Sequence, residues 1–156
     1  ERLDYFGQTV NIASRVQDAI RATHVPAGIQ IETSGLTDLP TVSAGGQSLT
    51  FVFRNLIENA IAAMHGIGLI RLQGAATPEW VEVSVVDSGP GITPELHHQI
   101  FELNFSRTGM QPGKLGFGLW WVKTLMTRLG GSVGVESDGQ HGTTFRLRLP
   151  VVEQQP

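Results

Sequence analysis

With 156 residues, 40% of them hydrophobic, the chain is long enough to bury one sizeable core and too short for two comfortable ones. A formal charge of −3 provides no basic field, which excludes nucleic acid as the principal partner. The absence of cysteine excludes disulfides, thiolate nucleophiles and cysteine zinc sites, and no run approaches the roughly eighteen apolar residues that a membrane-spanning helix needs.

In chain order, Val10, Ala13, Val16 and Ile20 recur at helical spacing and predict an amphipathic helix over 8–22, stopped by Pro26 and Gly28. Ile29 and Ile31 alternate with polar residues and predict a short strand, followed by a turn-rich stretch over 33–40 and a loop containing Gly45 and Gly46. From Ser48, a plausible N-cap, the series Leu49, Phe53, Leu56, Ile57, Ala60, Ile61 and Met64 predicts a long helix ending near Gly66. Strands over 69–73 and 80–86 read as a hairpin. A turn region over 87–94, a short helix through Ile100 and a glycine-rich loop over 104–118 come next, and loops of that length usually have a function. A helix over 119–129 ends at Gly130 and Gly131, and strands over 132–136 and 144–149 complete the pattern. Strands joined by short connections, without strict alternation with helices, predict an α+β fold: a two-layer sandwich with a mixed, mostly antiparallel sheet packed on helices. Residues 1–27 read as a linker helix or leader, 28–151 as the main domain and 152–156 as a disordered tail.

Four groups of residues bear on chemistry. Asn55 and Asn59 sit four apart on one helix face, either as a structural amide network or as oxygen donors to magnesium. Asp87-Ser88-Gly89-Pro90-Gly91-Ile92 follows a strand; the carboxylate suits an exocyclic amine and the glycines allow close backbone approach, although an ordinary turn has the same wording. Gly113-Lys114-Leu115-Gly116-Phe117-Gly118-Leu119 runs into a helix, where free N–H groups suit phosphate and Lys114 adds a charge, but neither Walker nor dinucleotide spacing is present. Gly142-Thr143-Thr144-Phe145 is either a turn into a strand or a site wall bearing hydroxyls.

Taken together, the order of these groups resembles the histidine kinase ATPases, within the larger group that includes gyrase, Hsp90 and MutL. The resemblance runs from about Ile29 to Pro150: Asn55 to Ala60 is similar to the N box, Asp87 to Ile92 to the first glycine box, Ile100 to Phe105 to the F box, and Gly116 to Leu119 to the second glycine box. The run from Leu119 to Lys123, then Gly130-Gly131, Glu136-Ser137 and Leu149-Pro150, resembles the kinase branch in particular.

The resemblance implies ATP and Mg2+ as cofactors, with Asn59 as metal ligand and Asn55 beside it, and Asp87 reading adenine. It further implies a nucleotide site lined by Gly89, Gly91, Ile92, Phe105, Lys114, Leu115, Gly116, Gly118, Leu119, Thr143 and Thr144. The activity implied is transfer of the γ-phosphoryl group to a histidine on a dimerisation domain outside this chain, then to a response regulator, in a cytoplasmic and homodimeric protein or the cytosolic part of a membrane-bound sensor. A chain opening on Glu1 reads as a piece of a longer protein.

Lys114, Leu115 and Ala62 depart from the family pattern, which keeps open a nucleotide-holding module without phosphotransfer. A gyrase-, Hsp90- or MutL-like ATPase is the third reading, opposed by Asn55 where that branch has a catalytic glutamate. His24, His65, His97, His98 and His141 show no metal-ligand spacing and read as surface residues, and one of Trp120 and Trp121 is expected in the core. The opening run through Asn11 and Arg15 resembles a piece of a class III nucleotide cyclase, without the metal-binding aspartate region of one.

Overall fold

The computed structural model describes residues 8–103 and 118–152. Strand β1 (Gln8–Val10) pairs antiparallel with β3 (Val42–Ala44), so the first element is a strand where helical spacing predicted helix. The reason is tertiary: the short ribbon ties two segments more than thirty residues apart, and Asn11 then starts α1 (Ile12–Ala22), its Oδ1 accepting the Ser14 N–H at 3.1 Å. Asn11 is thus a helix cap and Arg15 pairs with Asp18 at 3.2 Å, and these are the observed roles of the two cyclase-like residues. Ile12, Val16 and Ala19 of α1 are buried in the same core cluster as residues of α2 and the sheet, so α1, which falls within the segment read as a linker or leader, packs against the core.

Strand β2 (Ile29–Ser34) is followed, after β3, by α2 (Gly46–Met64), which begins two residues before Ser48, with Gly45 at the cap position and no side-chain cap. Leu49, Val52, Phe53, Leu56, Ile57, Ala60 and Met64 form its buried stripe. The helix ends on His65 in the left-handed region, with φ 52°, and Gly66 continues the turn at φ 93°.

Strands β4 (Gly68–Ala76) and β5 (Trp80–Asp87) form the predicted hairpin, longer at both ends. Two single-turn 3-10 helices, Pro94–Leu96 and Gln99–Phe101, replace the predicted short helix. Helix α3 (Gly118–Arg128), β6 (Ser132–Glu136) and β7 (Thr143–Pro150) follow. The five-stranded sheet has the order β2-β4-β5-β7-β6, and only β2 with β4 is parallel. This is the expected two-layer α+β sandwich.

Alternation along the strands separates the two faces of the sheet. Ile70, Leu72, Val81, Val83, Val85, Phe145, Leu147 and Leu149 face the helices and are buried. On the outer face, Arg146 reaches Glu136 at 2.9 Å and Glu82 at 3.1 Å, and Arg148 lies over the Trp80 ring. Neither tryptophan of α3 is buried: Trp120 is half-buried and Trp121 38% exposed, their rings packed edge to face, while Val122, Leu125 and Met126 supply the core. A helix of eleven residues has only one stripe to bury, and these three residues fill it.

Candidate functional site

The C-terminal end of β5 pairs with the start of β7, the loop after β5 approaches the last turn of α2 at Ala63 and Met64, and the start of α3 meets α2 at Asn55. On α2, Asn55 and Asn59 are one turn apart and both half-buried. Gly118, the first residue of α3, lies so close to Asn55 Oδ1 that a β-carbon there would displace the Asn55 side chain from its present position on α2. The Nδ2 of Asn59 is buried with no hydrogen-bond partner among the described residues. A buried amide nitrogen without a partner is costly, so this side chain suits a polar ligand: Nδ2 offers a donor there, and the amide turned about offers Oδ1 as an acceptor.

Asp87 ends β5 and is 6% exposed. Its register partners are Ile70 on β4 and Thr143 on β7, and Thr143, 4% exposed, shares its helix-facing side. Asp87 Oδ1 accepts the Gly89 N–H at 2.8 Å, which aims the carboxylate along the loop that follows. Gly142 lies against the Asp87 carbonyl with no room for a β-carbon, and Gly91, at φ 88°, has Ser137 Oγ 2.6 Å from where one would stand. A larger residue at either position would push the loop away from β7.

Ser137, in the connection from β6 to β7, holds this loop. Its Oγ accepts the Ile92 N–H at 2.8 Å and the Gly139 N–H at 3.2 Å, and donates to the Gly142 carbonyl at 2.6 Å. The Ile92 carbonyl accepts from His97 Nε2 at 2.9 Å, so His97 is a half-buried brace where a surface residue was expected. On the same connection, Asp138 accepts from His141 Nδ1 at 2.6 Å and from the Gln140 and His141 N–H groups.

The His141 hydrogen bond, and then those two N–H groups, hold the Asp138 carboxyl at about 2, below its ordinary 3.8. A depressed carboxylate stabilises the turn above its unfolded pKa, and that support is lost as pH falls through the folded value. The amide resonances of Gln140 and His141 are therefore expected to hold their native positions at pH 4 and to move only below about pH 3, with a midpoint near 2, as NMR titration would record. Movement complete by pH 4 would contradict the assignment.

Of the residues singled out by sequence, Asn55, Asn59, Asp87, Gly89, Gly91, Ile92, Gly118 and Thr143 come together on these elements. Leu119 is half-buried and packs against the core. Thr144 is set apart: pleating turns it to the outer face, in register with Val86 and Glu136, away from Asp87 and Thr143. Phe105, Lys114, Leu115 and Gly116 lie outside the described residues. Sequence reasoning passed over Ser137 and His97 as site residues; the only trace was Glu136-Ser137 among the kinase-like strings.

Residues 45–153 match the family model of the histidine kinase-, DNA gyrase B-, and HSP90-like ATPases. The chain is 31% identical over 144 residues to an adaptive-response sensory kinase, SasA, of Prochlorococcus marinus strain MIT 9303, covering 90% of this chain and 39% of that one. It is 34% identical over 130 residues to the SasA kinase of Synechococcus sp. strain CC9902, covering 81% of this chain and 34% of that one. The chain thus spans under two fifths of the length of these relatives. Among solved structures it is similar to full-length ShkA in complex with AMPPNP, at TM-score 0.82 and 27% identity, covering 100% of this chain and 34% of that chain. The mycobacterial sensor histidine kinase MprB shares the fold at TM-score 0.80 and 24% identity, covering 92% of this chain and 97% of that one.

Proposed function

Since the chain belongs to the histidine kinase-, DNA gyrase B-, and HSP90-like ATPases and is an ATP-binding catalytic domain of the sensor histidine kinase kind, we propose that it positions ATP for phosphoryl transfer to a histidine of a partner dimerisation domain. The observation that carries this reading is the buried Asp87 at the strand end, its Oδ1 fixed by the Gly89 N–H, beside the buried Thr143. A carboxylate held this way accepts a hydrogen bond from the exocyclic amine of adenine and rejects a carbonyl at the same place.

The polyphosphate then runs toward α2, where Asn59 and Asn55 stand. No group of three His, Asp or Glu side chains among the described residues could form a metal cage, so a cation here relies on an amide oxygen, phosphate oxygens and water. Turned so that Oδ1 takes the position where Nδ2 finds no partner, the Asn59 amide fits that need, and we assign it as the Mg2+ ligand with Asn55 as its neighbour. When bound, Mg2+ neutralises charge on the phosphate oxygens.

The transfer breaks the bond between the γ-phosphorus and its bridging oxygen, forms one from phosphorus to the acceptor imidazole nitrogen, and releases ADP. The chain's own residues orient and shield the reactants and supply no nucleophile. We place the acceptor on a dimerisation domain of a homodimeric cytoplasmic kinase, with a response regulator as the next acceptor. Asn55 offers an amide where a hydrolytic enzyme needs a general base, which favours slow hydrolysis by this chain alone.

Calorimetric titration with ADP and a non-hydrolysable ATP analogue, with and without Mg2+, tests the reading. Wild type is expected to bind both nucleotides and to bind the analogue about tenfold more tightly with Mg2+, a gain that Asn59→Ala removes while ADP binding without Mg2+ persists. Folded wild type that binds neither nucleotide would overturn it.

A further inference from the structure

We propose that Ser137 and His97 are positioning residues for the nucleotide base, acting as a two-sided clamp on the backbone of Ile92. The inference rests on the nucleotide-site reading above and extends it to two residues that need not touch the nucleotide. The Ile92 N–H donates to Ser137 Oγ at 2.8 Å, and the Ile92 carbonyl accepts from His97 Nε2 at 2.9 Å. Both polar groups of one buried residue are thereby fixed by side chains from different segments, one 45 residues ahead and one 5 ahead.

The hydroxyl of Ser137 is used to capacity. A serine oxygen has one proton to give and two lone pairs to fill, and here it donates to the Gly142 carbonyl and accepts from Ile92 and Gly139. It therefore ties Ile92, which closes the glycine loop after Asp87, to Gly142, which abuts the Asp87 carbonyl and precedes Thr143. The two walls of the proposed base site are joined through one oxygen. His97 completes the clamp through the hydrogen on Nε2, which the Ile92 carbonyl accepts.

Removing the hydroxyl leaves the Ile92 N–H and the Gly142 carbonyl, both on buried residues, without this partner, and the loop gains freedom that nucleotide binding must then remove. The test compares ADP affinity by calorimetry with hydrogen exchange of individual amides in wild type, Ser137→Ala, Ser137→Thr and His97→Ala. Ser137→Ala is expected to weaken ADP binding about tenfold and to lose protection at Ile92 and Gly139, with the amides of β5 and β7 still protected. Ser137→Thr keeps the hydroxyl and is expected to restore both, and His97→Ala to weaken ADP about threefold with the core intact.

Wild-type affinity in Ser137→Ala alongside normal binding by wild type overturns the clamp alone. A loss of protection throughout the sheet in both Ser137→Ala and His97→Ala would make the pair merely structural and likewise overturn it. No ADP binding by folded wild type overturns the nucleotide reading and the clamp's role with it.

Discussion

Asp87→Ala is expected to reduce ADP affinity by about a hundredfold, the largest effect of any single change in the site. A charge-assisted hydrogen bond to a desolvated partner is worth about 1.5–3 kcal/mol, and each 1.4 kcal/mol is tenfold in affinity. The substitution adds a second loss, because Gly89 N–H no longer finds the Oδ1 that holds the loop at 2.8 Å. Asp87→Asn separates the two contributions: its amide oxygen can still accept from Gly89 while it presents an amide where a carboxylate stood. Calorimetry should find Asp87→Asn nearly as weak as Asp87→Ala if recognition of the base dominates, and close to wild type if loop anchoring does. Unchanged ADP affinity in both variants would remove Asp87 from the site.

Val16→Asp is expected to destabilise the whole domain by about 4 kcal/mol or more, whereas Gln17→Asp on the same helix changes stability by less than about 0.5 kcal/mol. Val16 is fully buried on α1 in the common core, and a carboxylate there must either remain charged in an apolar site or take up a proton. Gln17 is exposed. Chemical denaturation followed through the tryptophans on β5 and α3 reads the result, because those rings lie on other elements than α1. A transition of unchanged midpoint in Val16→Asp would mean that α1 adds nothing to the core and serves only as a linker helix or leader, the reading the sequence alone gave for residues 1–27.

These two residues also mark the boundary between what could be read from the sequence and what could not. Asp87 was legible because a carboxylate followed by Gly89 and Gly91 at a strand end is a local pattern, and the long helix bearing Asn55 and Asn59 was legible because its apolar stripe repeats over five turns. Val10 was not, since its spacing fits a helix and its strand exists only through β3, more than thirty residues away. Thr143 and Thr144 were indistinguishable in sequence, and the register Asp87 with Thr143 alone puts one beside the carboxylate and the other on the opposite face.

The sequence by itself therefore determined the long helix α2, the hairpin of β4 and β5, the α+β class and the local motifs, because each depends on residues within a few turns of one another. Only the tertiary structure decided that α1 belongs to the core, that Gly118 meets Asn55, and that Ser137 and His97 grip Ile92 from two sides. Those contacts join segments whose separation along the chain has no period, and their geometry exists only once the sheet register and the helix packing have brought them within hydrogen-bonding distance.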